Sequence, residues 1–452
     1  FHLMTACCQP YGCAQPAKTT ADDRDMFCVH AIILWIRCPN VNISNKVVQS
    51  FLVFVELMYN RPMHTYDFIF AGGGGAGLGL VCALLDSPLR NHSMLIIDRD
   101  AKNENDRTWC FWGGPDTPFA SIARHSWGQI SVRGDAGERL FDFSTEGDGT
   151  WRYWMVRGID FYRHTRQRLV EQPNVRIVQG SVDGFTEQPE CVLVHASGET
   201  YAGRWVFDSI IRPGDLDLDR NRHHVLKQHF TGWEIETPHP VFDPTRAVMF
   251  DFRTRQENDL RFFYVLPFSP TRALVEYTIF SSDLLERDAY DAALREFLTG
   301  KLGVREYHVD FVEHNWIPMT DFPFQRQAGA RILNIGTKGG LVKPSTGYAF
   351  KRMQRDARAI VDSLVRHGDP FHVRPLPARY RFYDSLLLQI ILRQGDMMKP
   401  IFTQLFDRNP ILRIFRFLDD DATILEDLAL IASLPPLPFL RALVRTKILR
   451  KV

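Results

Sequence analysis

The stretch that decides the fold is residues 66–81, which read YDFIFAGGGGAGLGLV. Its first six residues, Tyr66–Ala71, form an apolar run that predicts a buried strand, and a helix is predicted to follow. Gly72, Gly74 and Gly77 make the pattern G-x-G-x-x-G between the two. In a dinucleotide-binding unit these glycines provide a tight turn, a close approach of backbone to pyrophosphate, and close packing of helix on strand. The pyrophosphate then lies at the positive end of the helix.

An acidic residue supports this interpretation. A second apolar strand is predicted at Met94–Ile97, and Asp98 follows it, 21 residues beyond Gly77. A carboxylate at that place can accept hydrogen bonds from ribose hydroxyls. The alternative, a glycine-rich turn without a ligand, is weak once strand, helix and acid occur together. FAD and NAD share this fingerprint, so the motif alone does not choose between them.

Two later segments favour FAD. The apolar segment Arg204–Asp208 ends in an acid, which makes Asp208 a candidate cofactor-binding residue. A strand is then predicted to run into Gly336, Gly339 and Gly340, ahead of another helix. A second glycine-rich junction far from the first suits an extended FAD molecule near its flavin ring, and a single NAD domain does not need it.

Beyond these motifs the pattern is that of an α/β protein with an inserted sheet. We predict a Rossmann-type FAD-binding domain of the two-domain flavoprotein kind, resembling hydroxylases and reductases, with a mostly antiparallel β-sheet substrate domain and a helical C-terminal region. The predicted bounds are 63–215 for the first part of the FAD-binding domain, 216–325 for the substrate domain, 326–368 for the return of the FAD-binding domain, and 369–452 for the helical region.

Residues 1–62 differ from the remainder of the chain. They lack clear periodicity and hold five of the eight cysteines. We predict an atypical N-terminal extension that is disordered or not native; a genuine N-terminal arm is the alternative. A zinc site is disfavoured because Cys7, Cys8 and Cys13 lack paired ligand spacing, and no metal is predicted elsewhere. The isolated Cys82, Cys110 and Cys191 indicate a reduced protein without a disulfide framework.

Composition excludes some functions. The 452 residues carry a formal net charge of +1, which gives no reason to expect a nucleic-acid partner. No uncharged apolar run is long enough to predict a membrane-spanning helix.

Several blocks in order carry a resemblance to the lycopene cyclases of the bacterial and plant flavoprotein type, from about Tyr66 to the C-terminus. They read D-R-T-W-C-F-W at 106–112, I-P-M-T at 317–320, K-P-S-T-G-Y-A-F at 343–350, and F-x-x-N-P followed by R-x-F-R-F-L within 406–418. The acidic motif of the family, F-L-E-E-T, matches 274–278, with Glu276 as its first acid and Tyr277 in place of the second.

The resemblance implies a non-redox reaction. The ends of lycopene would close, via gamma-carotene, into the rings of beta-carotene by protonation of a terminal double bond, attack by its neighbour and loss of a ring proton. It implies reduced FAD, with NADPH or NADH as electron donor. Glu276 becomes the proposed acid, since apolar neighbours keep a carboxyl protonated to higher pH; a half-solvated strand position is the alternative.

Further residues follow from the resemblance. Trp109, Phe111 and Trp112 are candidates for stabilising a cation through their ring faces, with packing beneath the flavin as an equal alternative. Tyr277 and Tyr348, which stand in family motifs, are further candidates beside the substrate. Arg157 is a candidate for neutralising cofactor charge, with an ordinary surface arginine as the alternative.

The expected partners are lycopene and related linear carotenes and a membrane surface. Leu386–Leu392, Leu434–Leu440 and a basic C-terminus suit docking on an anionic leaflet, although an ordinary helical cap fits them too. We expect a bacterial protein, cytoplasmic and peripheral on the inner face of the cell membrane. A flavin-dependent monooxygenase or prenyl reductase and a catalytically inactive flavin-binding carotenoid carrier remain alternatives. Ring type, one-end or two-end cyclisation and oligomeric state stay open.

Overall fold

The structure, a computed structural model, describes residues 65–449, with side chains to Thr446. The predictions for residues 1–62, including the cysteine-rich segment, lie outside the described residues.

Seventeen strands run through the described part of the chain, and their bounds are β1 (Thr65–Ala71), β2 (Met94–Asp98), β3 (Thr108–Gly113), β4 (His125–Trp127), β5 (Gln129–Gly134), β6 (Gly137–Asp142), β7 (Arg152–Arg157), β8 (Val175–Gln179), β9 (Val182–Glu187), β10 (Val192–Ala196), β11 (Glu199–Asp208), β12 (Val225–Glu236), β13 (Arg246–Asp251), β14 (Leu260–Pro267), β15 (Arg272–Ser281), β16 (His308–Thr320) and β17 (Ile332–Asn334).

Nine α-helices occur in the same part, and their bounds are α1 (Gly75–Leu85), α2 (Gly158–Val170), α3 (Arg287–Gly300), α4 (Phe350–His367), α5 (Ala378–Gln394), α6 (Met398–Arg408), α7 (Ile411–Leu418), α8 (Ile424–Ala432) and α9 (Pro436–Leu449). Single 3₁₀ turns occur at Ala120–Ile122, Phe143–Thr145 and Gly395–Met397.

The first sheet is the dinucleotide-binding one. Its order is β8-β2-β1-β11-β10-β9, with β17 also paired to β11. The strands β8, β2, β1, β11 and β17 run parallel. Parallel strands need covering on both faces, which explains why β1 and β2 read as continuous apolar runs. Their carboxyl ends place the first glycine loop, Asp98 and the return segment after β17 at one edge.

The second sheet carries the acidic motif. Its order is β16-β12-β15-β14-β13-β5-β6, and its pairs are antiparallel except for β13 with β5. It reaches beyond the predicted bounds of 216–325, because β5 and β6 come from residues 129–142. A third, small sheet has the order β3-β7-β4.

The two faces of the second sheet pack on different partners. One face, with Leu274 and Phe280, shares a core with the C-terminal helices, for example through Phe402 and Phe415. The opposite face packs on α3, where the rings of Phe263 and Phe297 stack with centroids 3.8 Å apart. Alternate residues of β15 therefore enter different cores.

A buried ionic cluster ties the return segment to the C-terminal helices. Lys343 Nζ lies 2.6 Å from Asp420 Oδ1 and 3.2 Å from Asp384 Oδ1. Arg352 also bonds Asp420, with its Nε 2.7 Å from Oδ2, and Ser345 donates to Asp384. Both aspartates of this cluster therefore have cationic partners.

The helical C-terminal region agrees with the helix prediction, but one of its segments lies elsewhere than expected. Leu386, Leu388, Ile390 and Ile391 are buried. The expectation that Leu386–Leu392 contributes to a membrane contact is therefore wrong, since α5 places these side chains in the core.

Candidate active site

The first glycine loop has the geometry that its sequence predicts. Gly72 has φ +103°, and a Cβ on Gly77 would lie 2.2 Å from the carbonyl oxygen of Gly72. A Cβ on Gly74 would meet nothing within 4 Å. The loop thus combines a tight turn and close helix packing with open space beside its middle glycine, which is the room that a pyrophosphate needs.

Asp98 lies beside this loop. Its Oδ2 accepts a 2.6 Å hydrogen bond from the backbone N–H of Gly73. It also lines a cavity of about 270 Å³ together with Leu78, Ile96 and Val178. The start of α1 has neither a side-chain cap nor an acidic residue in its first turn. The edge therefore offers a recess with apolar and polar walls, a carboxylate and uncapped helix N–H groups, which suit an adenosine diphosphate group.

The return segment adjoins the first loop. Gly336 has φ +62°, and a Cβ there would lie 2.9 Å from the Cβ of Ala76 in α1. Gly339 packs instead on the end of β17, since an added Cβ would lie 2.5 Å from the carbonyl oxygen of Asn334, and Gly340 packs on the chain before β17, since its Cβ would lie 3.2 Å from Phe324. The structure explains Gly339 and Gly340 by this packing.

The two predicted charged cofactor residues are engaged with protein partners. Asp208 is buried and its Oδ2 accepts 2.7 Å hydrogen bonds from Lys338 and from Arg212. It therefore anchors the return segment on the end of β11. Arg157 pairs with Asp160, with 2.6 Å between Nε and Oδ2. It lines neither the cavity beside Asp98 nor the cavity that contains Glu276.

One cavity joins the return segment to the second sheet. It measures about 260 Å³, and its lining includes Thr337 and Gly347 from the return segment and Glu276 from β15. Aromatic faces dominate the rest of the wall, and they come from Trp109, Tyr153, Phe230, Tyr264, Trp316, Tyr348 and Phe350.

Glu276 is half-buried because its side chain faces this cavity. Thr278 Oγ1 donates a 2.7 Å hydrogen bond to Glu276 Oε1. Burial raises the pKa of Glu276 well above its ordinary value, and the neighbouring Glu313 carboxyl raises it further. Both effects favour the neutral carboxylic acid over the carboxylate.

Glu313 is a partner that the sequence did not reveal. It is only 6% exposed, and it is the one buried residue in the stretch 308–316 of edge strand β16. Its Oε2 accepts a 2.9 Å hydrogen bond from Thr108 Oγ1. Burial raises the pKa of Glu313 too. No Lys, Arg or His of the described residues forms an ion pair with either glutamate.

The predicted aromatic residues separate into two groups. Trp109 and Tyr348 line the cavity with Glu276, and a Cβ on Gly75 would touch the Trp109 ring at 2.8 Å. Phe111 stacks on Phe350 at 5.0 Å. Trp112 stacks on Phe415 at 4.3 Å and donates its indole N–H to Asp419. Phe111 and Trp112 lie outside the lining of this cavity, and both pack on other aromatic rings.

Tyr277 also lies away from the cavity. It points to the α3 face of the sheet, stacks on Phe263 at 4.7 Å and accepts a 3.4 Å hydrogen bond from Arg261. The expectation that Tyr277 stands beside the substrate is therefore corrected by strand alternation, which directs it to the face opposite Glu276. Tyr264, one strand away, faces the cavity instead, with its hydroxyl 3.4 Å from that of Tyr348.

Fold and site together define a dinucleotide-binding two-domain α/β protein with an acid in an aromatic cavity. A probable FAD-dependent monooxygenase from Pseudomonas aeruginosa shares this fold with a TM-score of 0.54 and 14% identity, over 76% of this chain and all of that one. The predicted fold class is confirmed.

The particular family follows from sequence comparison. The family model described as lycopene cyclase protein matches residues 67–444, and the chain belongs to that family. A lycopene beta-cyclase from Paracoccus sp. is 28% identical, over 83% of this chain and 95% of its own length. The lycopene beta-cyclase from Pantoea ananas is 24% identical, over 84% and 97%. These relatives confirm the prediction of an enzyme of the lycopene beta-cyclase type.

Proposed function

We propose that this protein cyclises the end groups of lycopene to beta-carotene, via gamma-carotene, without net oxidation and with reduced FAD bound. The observation that carries the proposal is the single cavity lined by both Glu276 and the glycine-rich return segment. It brings the Glu276 carboxyl next to the segment that would hold the flavin end of the cofactor, in a cavity that several aromatic rings line.

Glu276 is the proposed acid. Its O–H bond breaks as a new C–H bond forms at the terminal C=C of the substrate, which leaves a tertiary carbocation. The neighbouring double bond supplies the electron pair for the ring-closing C–C bond, and a ring C–H bond then releases a proton to the carboxyl site. A positioned general acid contributes roughly 10²- to 10⁴-fold to a rate.

Aromatic faces support the cationic stages. Trp109, Tyr264 and Tyr348 present rings to the cavity that contains Glu276. The negative face of an aromatic ring attracts a cation, and the attraction is stronger where water is excluded. Burial raises the pKa of Tyr264 and of Tyr348, so both hydroxyls stay neutral and do not quench a cation as phenolates.

The residues present fit FAD. The Gly72–Gly77 loop would hold the pyrophosphate and Asp98 the ribose side of the adenosine, while Gly336 would let the return segment approach near the flavin. When bound in its reduced state, the flavin supplies an electron-rich surface that stabilises positive charge. NADPH or NADH is the proposed electron donor. Removing the donor under anaerobic conditions, with oxidised FAD bound, should abolish activity.

The substrate reaches the protein from a membrane in this proposal, and the α8–α9 surface is the proposed contact. Six apolar side chains there are 54–78% exposed, and they are Ile424, Leu425, Leu428, Leu437, Leu440 and Val444. Arg441 and Arg445 are exposed beside them. No single described helix is apolar and long enough to span a bilayer. Together, α8 and α9 have the required length and apolar composition, but the pair is bent by 112°.

Apolar surface beside arginines suits a peripheral contact with anionic lipid, which we place on the inner face of the cell membrane, with the protein otherwise cytoplasmic. The variant Leu425→Gln/Leu428→Gln should lose cosedimentation with vesicles that contain anionic lipid. Val170→Gln is the matched control, since Val170 is 84% exposed on α2, away from this surface. Equal loss in both variants, or in neither, would contradict the contact.

Pigment analysis tests the function itself. Expression in lycopene-accumulating cells should yield beta-carotene by chromatography, while Glu276→Gln should leave lycopene. Saturated or oxygenated pigments would support the reductase or monooxygenase alternative instead. Lycopene bound to the purified protein without ring formation would support the inactive carrier.

A further inference from the structure

The starting observation is the register of three strands. Gly232 of β12 pairs with Glu276 of β15 on one side and with Glu313 of β16 on the other. Neighbouring strands lie about 4.8 Å apart, so the backbones of the two glutamates are separated by about two such spacings. Any side chain at position 232 would stand between them.

The missing side chain of Gly232 lets the two carboxyls meet. A Cβ at position 232 would lie 3.1 Å from Glu313 Cγ and 3.2 Å from Glu313 Oε1. Glu313 Oε1 therefore occupies the space above the glycine, and the Glu313 carboxyl lies within hydrogen-bond reach of the Glu276 carboxyl. The φ of Gly232 is not positive, so the glycine is explained by this close approach and not by backbone conformation.

Hydrogen bonding shows which atom lacks a donor. Glu313 Oε2 accepts from Thr108 and Glu276 Oε1 accepts from Thr278. Glu313 Oε1 is buried and has no N–H or O–H donor among the described residues. A buried acceptor without a donor costs roughly 1–3 kcal/mol. A proton on Glu276, shared with Glu313 Oε1, removes that cost and the repulsion of two adjacent carboxylates.

Within residues 65–446 no cation pairs with either carboxyl. The groups that face the pair from neighbouring elements are Glu234 on β12, Cys110 on β3, Tyr264 on β14, Tyr348 before α4, and Arg107 at the cavity wall. Arg107 pairs with Asp106, and Glu234 adds negative charge although Arg124 and Arg272 bind it.

We infer that Glu313 is a positioning residue that shares one proton with Glu276 across Gly232. It thereby keeps the Glu276 carboxyl protonated and directed into the cavity. The inference rests on the proposed function for its catalytic meaning. Glu276 lines the cavity, whereas Glu313 lies behind it, so Glu313 acts through Glu276. The ring proton released at the end of the reaction returns to the pair, and no oxidant or net proton is consumed.

Three variants and a control test whether Glu313 positions the proton on Glu276. Glu313→Gln removes the neighbouring negative charge, so Glu276 should lose its proton at lower pH, and the alkaline limb of the activity profile should move to lower pH. Gly232→Ala should move it in the same direction by separating the carboxyls, while Glu313→Asp should restore part of the wild-type profile. Gly184→Ala in β9 is the matched control, since a Cβ there meets nothing within 4 Å. It should leave the profile unchanged.

A measurement without substrate keeps the inference independent of the proposed function. Infrared difference spectroscopy of the purified full chain should show a carboxylic-acid C=O band that disappears in Glu276→Gln and titrates at lower pH in Glu313→Gln and Gly232→Ala. An identical titration in wild type and Glu313→Gln would overturn the inference, even if beta-carotene forms. The expected band shift would support it even if pigment analysis shows no cyclisation.

Discussion

Two pairs of carboxyl groups among the described residues have opposite electrostatic environments. Asp384 and Asp420 lie beside Lys343 and Arg352, which compensate their charge. Glu276 and Glu313 lie beside each other, and no described cation pairs with either. Of these four residues only Glu276 lies in a block that resembles a family motif. The two pairs differ in charge compensation: a balanced pair stabilises the fold, whereas an unbalanced pair must hold a proton and can donate it.

The largest expected effect is on the unbalanced pair. Glu276→Gln keeps the shape of the side chain but removes its transferable proton, so cyclisation should fall about 100- to 10 000-fold, measured as beta-carotene formed per unit of protein. The melting temperature should stay unchanged or rise, since an uncompensated buried acid is gone. Glu236→Gln, a change at an exposed glutamate on β12, is the control and should retain full activity.

The balanced pair should respond in stability. Lys343→Met leaves Asp384 without a cation and Asp420 with Arg352 alone, so the free energy of unfolding should fall by about 3–5 kcal/mol, measured with denaturant. Lys399→Met breaks a surface pair with Asp135 and should cost about 0–1 kcal/mol. Equal losses would show that the ionic cluster is no more than a surface pair.

The two pairs should also give opposite pH dependences. Burial raises the pKa of Glu276, so its stabilisation is complete below the unfolded pKa and is lost as pH rises through the folded one. Burial also acts to raise the pKa of Asp420, but the charges of Lys343 and Arg352 outweigh it and hold that pKa below its ordinary value. The stabilisation from Asp420 is therefore lost as pH falls.

Unfolding curves at several pH values measure this difference. Between the unfolded and folded pKa of Glu276, the wild type should lose up to about 1.4 kcal/mol per pH unit relative to Glu276→Gln. Parallel curves for the two proteins would show that Glu276 is ionised in the folded state.

The smallest expected effect compares a tyrosine of β15 that faces away from the cavity with a tyrosine of the cavity wall. Tyr277→Phe removes a hydroxyl with one long hydrogen bond on the face away from the cavity, so activity should stay within about twofold and stability within about 1.5 kcal/mol. Tyr348→Leu removes a ring face from the cavity wall and should cost about tenfold in activity. A larger loss of activity for Tyr277→Phe than for Tyr348→Leu would indicate that the reacting groups lie on the α3 face of the sheet.

Sequence predicts the local parts of this design well. Tyr66–Ala71, Gly77 and Asp98 are recognisable because strand, turn and helix are fixed by neighbouring residues, and the strand predicted at Met94–Ile97 ends one residue before β2 does. Glu276 was found through a family motif. Its interpretation as half-solvated remained open because alternation tells which residues share a face, not what covers that face.

Glu313 and the misassigned Tyr277 show where such reasoning stops. The pairing of Glu313 with Glu276 depends on the register of two strands 37 residues apart in sequence and on a bare position between them. No local pattern contains that information. Tyr277 was proposed for its place in a motif, although its alternation with Glu276 already directed it to the other face. Asp208 was predicted to bind the cofactor because the sequence does not show that the fold pairs it with Lys338 and Arg212.

Gly232 also has a consequence for protein engineering. A glycine in ordinary extended conformation is the usual target for thermostabilisation, because alanine reduces the disorder of the unfolded chain by about 0.4–1 kcal/mol. Here the same change would drive a methyl group between two side chains whose meeting gives the molecule its acid. A screen that scores only thermal survival would not detect the separation of the two carboxyls, so variants at this position have to be scored for turnover at alkaline pH as well.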